Sequence, residues 1–283
     1  MNNKAFIIRG ISGTGKGTRV SNLIEFFRSL EPESNTVIPI VSKNIKENKP
    51  EDIVQLGLLY SPLGLFFPGK WVKSNKSGMY SWSSMDGFSG VKDRVYWSIL
   101  DHMGSNDLHF VAEGYFAMKG NYFGSNKLVQ YGFQDVYYSH YLFEDRQQLI
   151  DRCYNRSGSI IKGTPWKDNA YFSDKPENKK KTVDTEYQWY KKSGGEGKFE
   201  YQFLPANEPV WEFGYRLLIA LDESKLAEEY KQWSSKEGNT TLRDIKDKED
   251  NIEKYSNRIL DPNKDFFLEI ELKEPKEKVT GVR

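Results

Sequence analysis

A cluster of glycine, lysine and threonine near the start of the chain is the feature best suited to chemistry. In the stretch AFIIRGISGTGKGTRVSNLI, glycine occupies positions 10, 13, 15 and 17, and Lys16 and Thr18 lie beside them. Glycine costs conformational entropy in ordinary structure, so such a cluster indicates backbone that must approach another group closely. The N–H groups of a glycine-rich turn can converge on an anion, and a helix that begins there turns its positive end toward the same point.

The spacing matches a phosphate-binding motif. Gly10, Gly15 and Lys16 fit G-x-x-x-x-G-K, which requires a strand before it and a helix after it. The apolar run KAFIIR predicts the strand, and residues 17–30 carry apolar side chains at helical spacing. The residues predicted to bind the phosphates are Gly10, Ser12, Gly13, Thr14, Gly15, Lys16, Gly17 and Thr18.

The loop departs from the commonest form of this motif, in which a serine or threonine directly after the lysine binds Mg²⁺. Here Gly17 follows Lys16, and the hydroxyl comes one residue later, at Thr18. This G-x-x-G-x-G-K-G-T form resembles the adenylate kinase branch of P-loop kinases, with Ser12 where that branch usually has proline. The resemblance implies ATP as the phosphate donor, Mg²⁺ held largely through water, and contact of Thr18 with the α-phosphate.

The resemblance extends, with less specific motifs, over residues 4–222. Such kinases carry a mobile lid with arginines after the fourth strand of the core sheet, and YLFEDRQQLIDRCYNR is similar to that strand, its helix and the start of the lid. Arg152 and Arg156, spaced i, i+4, could clamp the transferring phosphates. The alternative is a solvated basic helix face. YQFLPANEP resembles the segment that covers adenine, which makes Asn207 a candidate on the base side.

Two carboxylates could act on the accepting group, because transfer to a hydroxyl favours a carboxylate that orients or deprotonates it. Asp86 precedes a predicted helix, at a position similar to the acceptor-side aspartate of polynucleotide-kinase-like enzymes; its alternative is a helix N-cap. Glu113 follows a predicted strand and could hold the water shell of Mg²⁺ or contact the acceptor. Its alternative is a surface carboxylate, but the carboxyl edge of a parallel sheet is where sites form.

Lysines and aromatic residues interleave between residues 69 and 84 without a helical or a clean strand period. This pattern is typical of a surface for a single strand or a flipped base, and a solvated loop with anchoring tryptophans is the alternative. The predicted acceptor-binding residues are Lys70, Trp71, Lys73, Lys76 and Trp82. The stretch replaces the compact nucleotide-binding helices of small adenylate kinases, which points to an acceptor larger than a mononucleotide.

Strands alternating with helices predict an α/β fold, with a parallel sheet of about five strands flanked by helices. The predicted strands are 4–9, 36–41, 108–112, 135–143 and 199–204, and the predicted helices are 17–30, 51–60, 89–103, 144–156 and 208–221. We predict a P-loop kinase domain over 1–222, with an insertion at about 44–86 and a mobile lid at about 157–198. The charged stretch 223–283 is predicted to add a C-terminal extension with two helices and a short strand.

Composition excludes some classes of protein. The 283 residues carry a net charge of +1, so any basic surface must be local. Cys153 is the single cysteine, which excludes an intramolecular disulfide, and no run reaches the ~20 apolar residues of a membrane span. We expect a soluble cytoplasmic protein without a membrane partner. The histidines His102, His109 and His140 show no ligand spacing and are interpreted as structural.

These features favour an ATP- and Mg²⁺-dependent kinase that transfers the γ-phosphate to a hydroxyl on a nucleic-acid acceptor. A looser resemblance, based on the aromatic-basic insertion and on size, is to the bacteriophage kinases that phosphorylate 5-hydroxymethyluracil in DNA. A nucleoside or deoxynucleoside monophosphate kinase is the first alternative. A P-loop ATPase that transfers no phosphate is the second, disfavoured because no conventional Walker-B aspartate precedes a switch-like element.

Overall fold

Among the residues that the structure describes, eight strands form one central sheet. The computed structural model describes residues 2–11, 13–30, 36–42, 54–73, 80–83, 92–114, 120–143, 147, 176–236 and 268–272. The strands are β1 (Asn3–Gly10), β2 (Val37–Ser42), β3 (Val54–Tyr60), β4 (Leu65–Pro68), β5 (Lys70–Lys73), β6 (Tyr80–Ser83), β7 (His109–Glu113), β8 (Phe133–Leu142), β9 (Phe199–Pro205) and β10 (Leu268–Glu269).

The order across this sheet is β10-β2-β3-β4-β7-β1-β8-β9. The run β4-β7-β1-β8-β9 is parallel throughout, with β1 in its middle. Strand β3 pairs antiparallel with β2 and β4, whereas β10 lies parallel to β2. The predicted α/β class with a mostly parallel sheet is confirmed. The predicted count of about five strands is wrong, because β2, β3 and β10 extend the parallel run.

Helices cover both faces of the sheet, which explains why β1 is apolar at successive positions. The helices are α1 (Lys16–Leu30), α2 (Lys92–Ser105), α3 (Gly120–Phe123), α4 (Ser125–Gln130), α5 (Pro176–Lys192), α6 (Trp211–Ala220) and α7 (Ser224–Lys236). Ala5 and Ile7 of β1 pack in a core with residues of α2, α3, α4 and α5. Phe6 and Ile8 pack in a second core with α1, α6 and α7.

Some local predictions between residues 51 and 86 were wrong. A helix was predicted at 51–60, but the described residues of that range, 54–60, form strand β3. A short apolar run has no period that distinguishes a helix from a buried strand. The stretch 69–84, expected to lack a clean strand period, contains the antiparallel pair β5–β6, and strand β4 precedes it. The turn between β4 and β5 is made by Gly69, whose N–H donates to the carbonyl of Leu56 at 2.7 Å.

Helix α5 was missed by the sequence analysis, which placed its residues in a mobile segment. The helix has a mean hydropathy typical of a solvated helix, and Glu186 and Tyr190 are its buried residues. The apolar period was therefore too weak to predict it. The predicted helix at 144–156 lies outside the described residues apart from residue 147, which is helical.

The C-terminal residues pack against the rest of the chain. Helix α7 buries Ala227 and Tyr230 in the core that it shares with α1 and α6. Strand β10 pairs with β2. Ile270 and Leu272, which follow β10 in the chain, are 5% and 8% exposed. The division of the chain at residue 222 stays a prediction. Across the described part of the chain, no helix is long and apolar enough to cross a membrane.

Candidate functional site

Strand β1 leads into helix α1 at the carboxyl edge of the parallel strands, through a loop whose described residues are 11 and 13–15. β1 ends at Gly10 and α1 begins at Lys16. The φ angles of Gly10, Gly13 and Gly15 are 143°, 90° and 78°. Residues with a side chain rarely adopt these angles, so the shape of the loop requires glycine at these three positions, whereas Gly17 lies in α1. The strand, loop and helix context that the motif demands is present.

The loop is also tightly packed. A Cβ atom on Gly10 would lie 2.7 Å from Thr14 Oγ1 and 2.8 Å from the carbonyl oxygen of Tyr141, which is too close. Thr14 is fully buried, and its hydroxyl donates to the carbonyl of Ile11 at 2.8 Å. The first turn of α1 contains no acidic residue. The positive end of this helix is therefore not neutralised by a carboxylate of its own first turn.

Lys16 brings a full positive charge to the same place. Its ammonium donates to the carbonyl oxygens of Gly10 and Ile11, at 2.8 and 3.0 Å, and the residue is 9% exposed. The cation thus lies across the loop that it belongs to. A lysine charge, a helix N-terminus and a glycine-rich loop at one point suit an anion.

Arg19 connects this loop to the segment that follows β9, and the sequence analysis did not identify it. The guanidinium is 2% exposed. Its Nη1 donates to the carbonyl of Thr14 at 2.9 Å, and its Nη2 donates to the carbonyls of Ala206 and Glu208 at 3.2 and 3.0 Å. Asn207, which is exposed, lies between those two residues. Arg19 therefore holds the predicted base-side segment next to the glycine-rich loop.

A second group of charges supports Arg19 from the side of α6. The Arg19 guanidinium lies 4.0 Å from the centre of the Tyr141 ring. Tyr141 donates to Glu208 Oε1 at 2.7 Å, and Arg216 of α6 donates to the same oxygen at 2.6 Å. Burial raises the pKa of Tyr141, and the Glu208 carboxylate adds to this, so the hydroxyl stays protonated as a donor.

Glu113 is the last residue of β7, and it lies opposite Ile8 of the neighbouring β1. The predicted position at a strand end beside the loop strand is confirmed; its role is not tested by this geometry. The residue is 8% exposed. Within the described ranges, no group of three or more His, Cys, Asp or Glu residues could hold a metal ion by itself.

Arg9 directly precedes the loop and forms a buried ion pair that ties β1 to α5. Its Nη2 lies 2.7 Å from Glu186 Oε1, with both side chains 5% exposed, and it donates to the carbonyl of Phe123 at 3.2 Å. Burial opposes the charged form, but Tyr138 and Glu186 outweigh it and raise the pKa of Arg9 above its usual value. Glu186 also accepts from the N–H of Ser125 at 2.9 Å.

His140 lies near the end of β8, opposite Arg9 of β1, at the same edge of the sheet. Its Nδ1 is 3.0 Å from the hydroxyl of Tyr201, and Arg9 Nη1 donates to that hydroxyl at 3.4 Å. The hydroxyl accepts from Arg9, because a guanidinium only donates, and the direction of its bond with Nδ1 follows the tautomer of the imidazole. Burial and the charges of Arg9, Lys16 and Lys179 lower the pKa of His140 to about 3. The ring is therefore neutral.

The predicted acceptor-binding stretch is described only in part. Strands β5 and β6 pair so that Trp71 is directly opposite Trp82, and Lys73 is opposite Tyr80. Lys70 lies opposite Ser83 in the same hairpin. Five further predicted site residues lie outside the described residues: Ser12, Lys76, Asp86, Arg152 and Arg156.

Comparison with known proteins gives one family and one relative. A family model described as 5-hmdU DNA kinase 2 matches residues 1–193. The 5-hmdU DNA kinase 2 of Salmonella phage ViI is 29% identical over 181 residues, which are 62% of this chain and 56% of that protein. The chain thus spans about half the length of the curated relative that it matches. The family match ends just after α5, so β9, α6 and α7 lie beyond it.

Proposed function

The chain belongs to the 5-hmdU DNA kinase 2 family, and from this premise we propose that it transfers the γ-phosphate of ATP to the hydroxymethyl oxygen of 5-hydroxymethyluracil in DNA. The observation that carries the proposal is the loop between β1 and α1. It combines glycines at positive φ, the start of a helix and the Lys16 ammonium at one point of the sheet edge. A nucleotide's phosphates have the charge that this arrangement suits.

The order of the strands supports a P-loop kinase fold. Within the parallel run, β8 is the fourth strand along the chain, after β1, β4 and β7. In the kinases that the loop resembles, an arginine-bearing lid follows the fourth strand. The predicted lid at about 157–198 follows β8 in the same way, and Arg152 and Arg156 would contribute its arginines. The hairpin β5–β6 is inserted between β4 and β7, where we place the acceptor.

On the donor side, the loop's N–H groups and the N-terminus of α1 hold the β- and γ-phosphates. Lys16 moves its hydrogen bonds from the loop carbonyls to phosphate oxygens, where it stabilises the charge of the transition state. Thr18 contacts the α-phosphate. Asn207 lies on the base side, held there by the bonds of Arg19 to the residues on either side of it.

Magnesium would be held between the phosphates and Glu113, with water in between. Mg²⁺ usually keeps several waters and binds one or two carboxylates together with substrate phosphates. A single carboxylate at this edge of the sheet therefore suits Mg²⁺, and a cluster of protein ligands is not needed. When bound, the ion neutralises charge on the phosphates. Gly17, in the place of the usual metal-binding hydroxyl, agrees with contact through water.

On the acceptor side, the hydroxymethyl oxygen attacks the γ-phosphorus in line with the leaving oxygen. A new phosphorus–oxygen bond forms, the bond to the β,γ-bridging oxygen breaks, and ADP leaves. The hydroxyl proton passes to a carboxylate, for which Asp86 and Glu113 are the candidates. The DNA strand would be held by the hairpin and the residues next to it, namely Lys70, Trp71, Lys73, Lys76 and Trp82.

The test is transfer of label from γ-labelled ATP to three acceptors in parallel. These are a duplex with 5-hydroxymethyluracil, the same duplex with thymine, and the free deoxynucleoside monophosphates of both bases. We expect label on the modified duplex alone. Label on free nucleotide would favour the monophosphate kinase, and release as inorganic phosphate with all acceptors would favour the ATPase.

A further inference from the structure

We propose that the target base is received by an aromatic surface at the carboxyl edge of β8 and β9, formed by His140, Tyr201 and Phe203 with Lys179 beside them. We term it the β8–β9 aromatic surface. The inference rests on the proposed function and adds to it the place where a hydroxymethylpyrimidine, turned out of the DNA, would stack. Many enzymes that act on a base turn that base out of the duplex, and aromatic side chains commonly hold it.

The three rings form a continuous surface. His140 lies opposite Phe203 in the pairing of β8 with β9. The ring centres are 5.1 Å apart for His140 and Phe203, and 5.2 Å apart for Tyr201 and Phe203. All three side chains are half-buried. His140 and Phe203 lie two residues before the carboxyl ends of their parallel strands, where open α/β sheets bind their ligands, and Tyr201 precedes Phe203 on β9.

The aromatic residues of β9 differ in what packs over them. Phe199, on the same strand, packs under Tyr187 and Tyr190 of α5, with ring centres 5.5 and 5.4 Å away. Phe199 and Tyr201 pack against one of the two hydrophobic cores formed by the described residues, whereas Phe203 belongs to neither. Phe203 therefore offers a ring face that the cores described here do not use.

The polar groups at this surface suit a pyrimidine. The Nδ1 atom of the neutral His140 ring is bonded to the Tyr201 hydroxyl, which leaves Nε2 for the base. In one tautomer Nε2–H donates to a carbonyl oxygen of uracil, and in the other Nε2 accepts from the N3–H group. The ammonium of Lys179 lies 5.6 Å from the centre of the Phe203 ring. Stacking together with hydrogen bonds to the base edge is how flipped bases are read.

The surface also lies close to the proposed phosphate site. His140 lies opposite Arg9 in the pairing of β8 with β1, and the next residue of β1, Gly10, accepts a hydrogen bond from Lys16. A base stacked on Phe203 would therefore lie at the same edge of the sheet as the γ-phosphate held by Lys16. The hairpin β5–β6 would keep its role as the support of the strand from which the base is turned out.

The experiment compares Phe203→Leu, which removes the ring but keeps much of its volume, with Phe203→Tyr, which keeps the ring. Phe199→Leu is the matched control, on the same strand under α5. Binding of a labelled duplex with one 5-hydroxymethyluracil is measured by fluorescence anisotropy, and KM for ATP by steady-state kinetics. We expect Phe203→Leu to weaken duplex binding roughly ten-fold, because it removes the ring on which the base stacks. KM for ATP should stay unchanged.

The other two variants should bind the duplex as the wild type does, with Phe199→Leu lowering Tm. Equal duplex affinity in the wild type and Phe203→Leu would overturn the inference. If Phe203→Leu raised only the KM for ATP, the surface would belong to adenine and the inference would be wrong. Failure of the wild type to bind the modified duplex would also overturn it. If the wild type binds the duplex but transfers no phosphate, the proposed kinase activity fails, and the Phe203 comparison still decides the inference.

Discussion

Lys16 supplies the charge on which the proposed phosphate site depends. We predict that Lys16→Ala lowers the rate of transfer by ~10²–10³, the typical cost of removing one electrostatic stabiliser of a transition state. The fold should persist, because the ammonium contacts the carbonyls of Gly10 and Ile11 at the loop itself. Turnover at saturating ATP is the measurement, with Tm as the control for folding. Near-normal turnover in the folded variant would remove the loop from the mechanism.

His140 should make folding stability depend on pH below neutrality. Its pKa is about 3 in the folded chain, because of burial and neighbouring positive charges, against about 6.5 when unfolded. Between these values the unfolded chain binds a proton that the folded chain does not. The free energy of unfolding therefore falls as pH decreases, by up to about 1.4 kcal/mol per pH unit from this group.

The check is urea unfolding of the wild type and His140→Gln at several pH values between 6 and 4. The variant should lose stability less steeply as pH decreases. Parallel curves would mean that His140 titrates normally in the folded protein and that its ring is not held neutral.

The sequence predicted some site residues and missed others for a physical reason. The glycines, Lys16 and Thr18 follow from a motif whose parts lie within a few residues of one another. The contacts of Arg19 reach Glu208, 189 positions away along the chain, and no local pattern shows them. Arg9 could have been identified from the sequence, because it is a charged residue within an otherwise apolar predicted strand.

At the scale of elements, the Arg9–Glu186 pair attaches α5 to the strand that carries the loop. Both side chains are 5% exposed, and their closest atoms are 2.7 Å apart. Removing one partner of such a pair typically costs ~3–5 kcal/mol, because the other charge is left buried, whereas apolar replacement of both is often tolerated. We predict that Glu186→Gln and Arg9→Met each destabilise the protein by about this amount.

A double-mutant cycle of Arg9→Met and Glu186→Leu, followed by chemical denaturation, tests this account. The double variant should be more stable than the sum of the two single effects implies. Additive losses would show that the two side chains do not stabilise each other, and the attachment of α5 would then depend on its apolar contacts alone.

The elements that the sequence predicted well are those with a clear period or a long apolar run. Strands β1, β7, β8 and β9 and helix α1 lie within about two residues of their predicted bounds, which is the usual uncertainty of an element's ends. Strand β3 was mistaken for a helix, because its buried residues have neighbours on both sides and no alternation. Helix α5 was missed because few of its residues are buried.

At the scale of the whole molecule, the C-terminal residues complete the sheet. We predict that deletion of residues 267–283 lowers Tm, because it removes Ile270 and Leu272 from the core. Burial of one such side chain contributes about 1.5–3 kcal/mol at most. The deletion would also expose the edge of β2 and promote association. Transfer per folded molecule should be kept, since β10 lies at the sheet edge far from β1.

Thermal unfolding and size-exclusion chromatography would check this, with deletion of 276–283 alone as the control that keeps β10. An unchanged Tm after the longer deletion would mean that the strand contributes nothing to stability. Loss of transfer in a folded, monodisperse variant would place the C-terminal residues in the function instead.

The family assignment also belongs to this scale. The looser of the two resemblances drawn from the sequence, to phage 5-hydroxymethyluracil DNA kinases, is confirmed by the family match over residues 1–193. The loop alone could not select it, since the same motif serves many acceptors. The acceptor-side residues had to be inferred from composition, which is why their roles stay predictions.

The chemical position of the transferred phosphate tests the central proposal most directly. A duplex with blocked ends and a single 5-hydroxymethyluracil is incubated with ATP and Mg²⁺, and the intact mass of each strand is measured. We expect the modified strand to gain the mass of one phosphoryl group. We expect no gain on its complement or on a thymine duplex, and no gain on any strand with Lys16→Ala. An unchanged modified strand while ATP is consumed, or an equal gain on the thymine duplex, would contradict the central proposal.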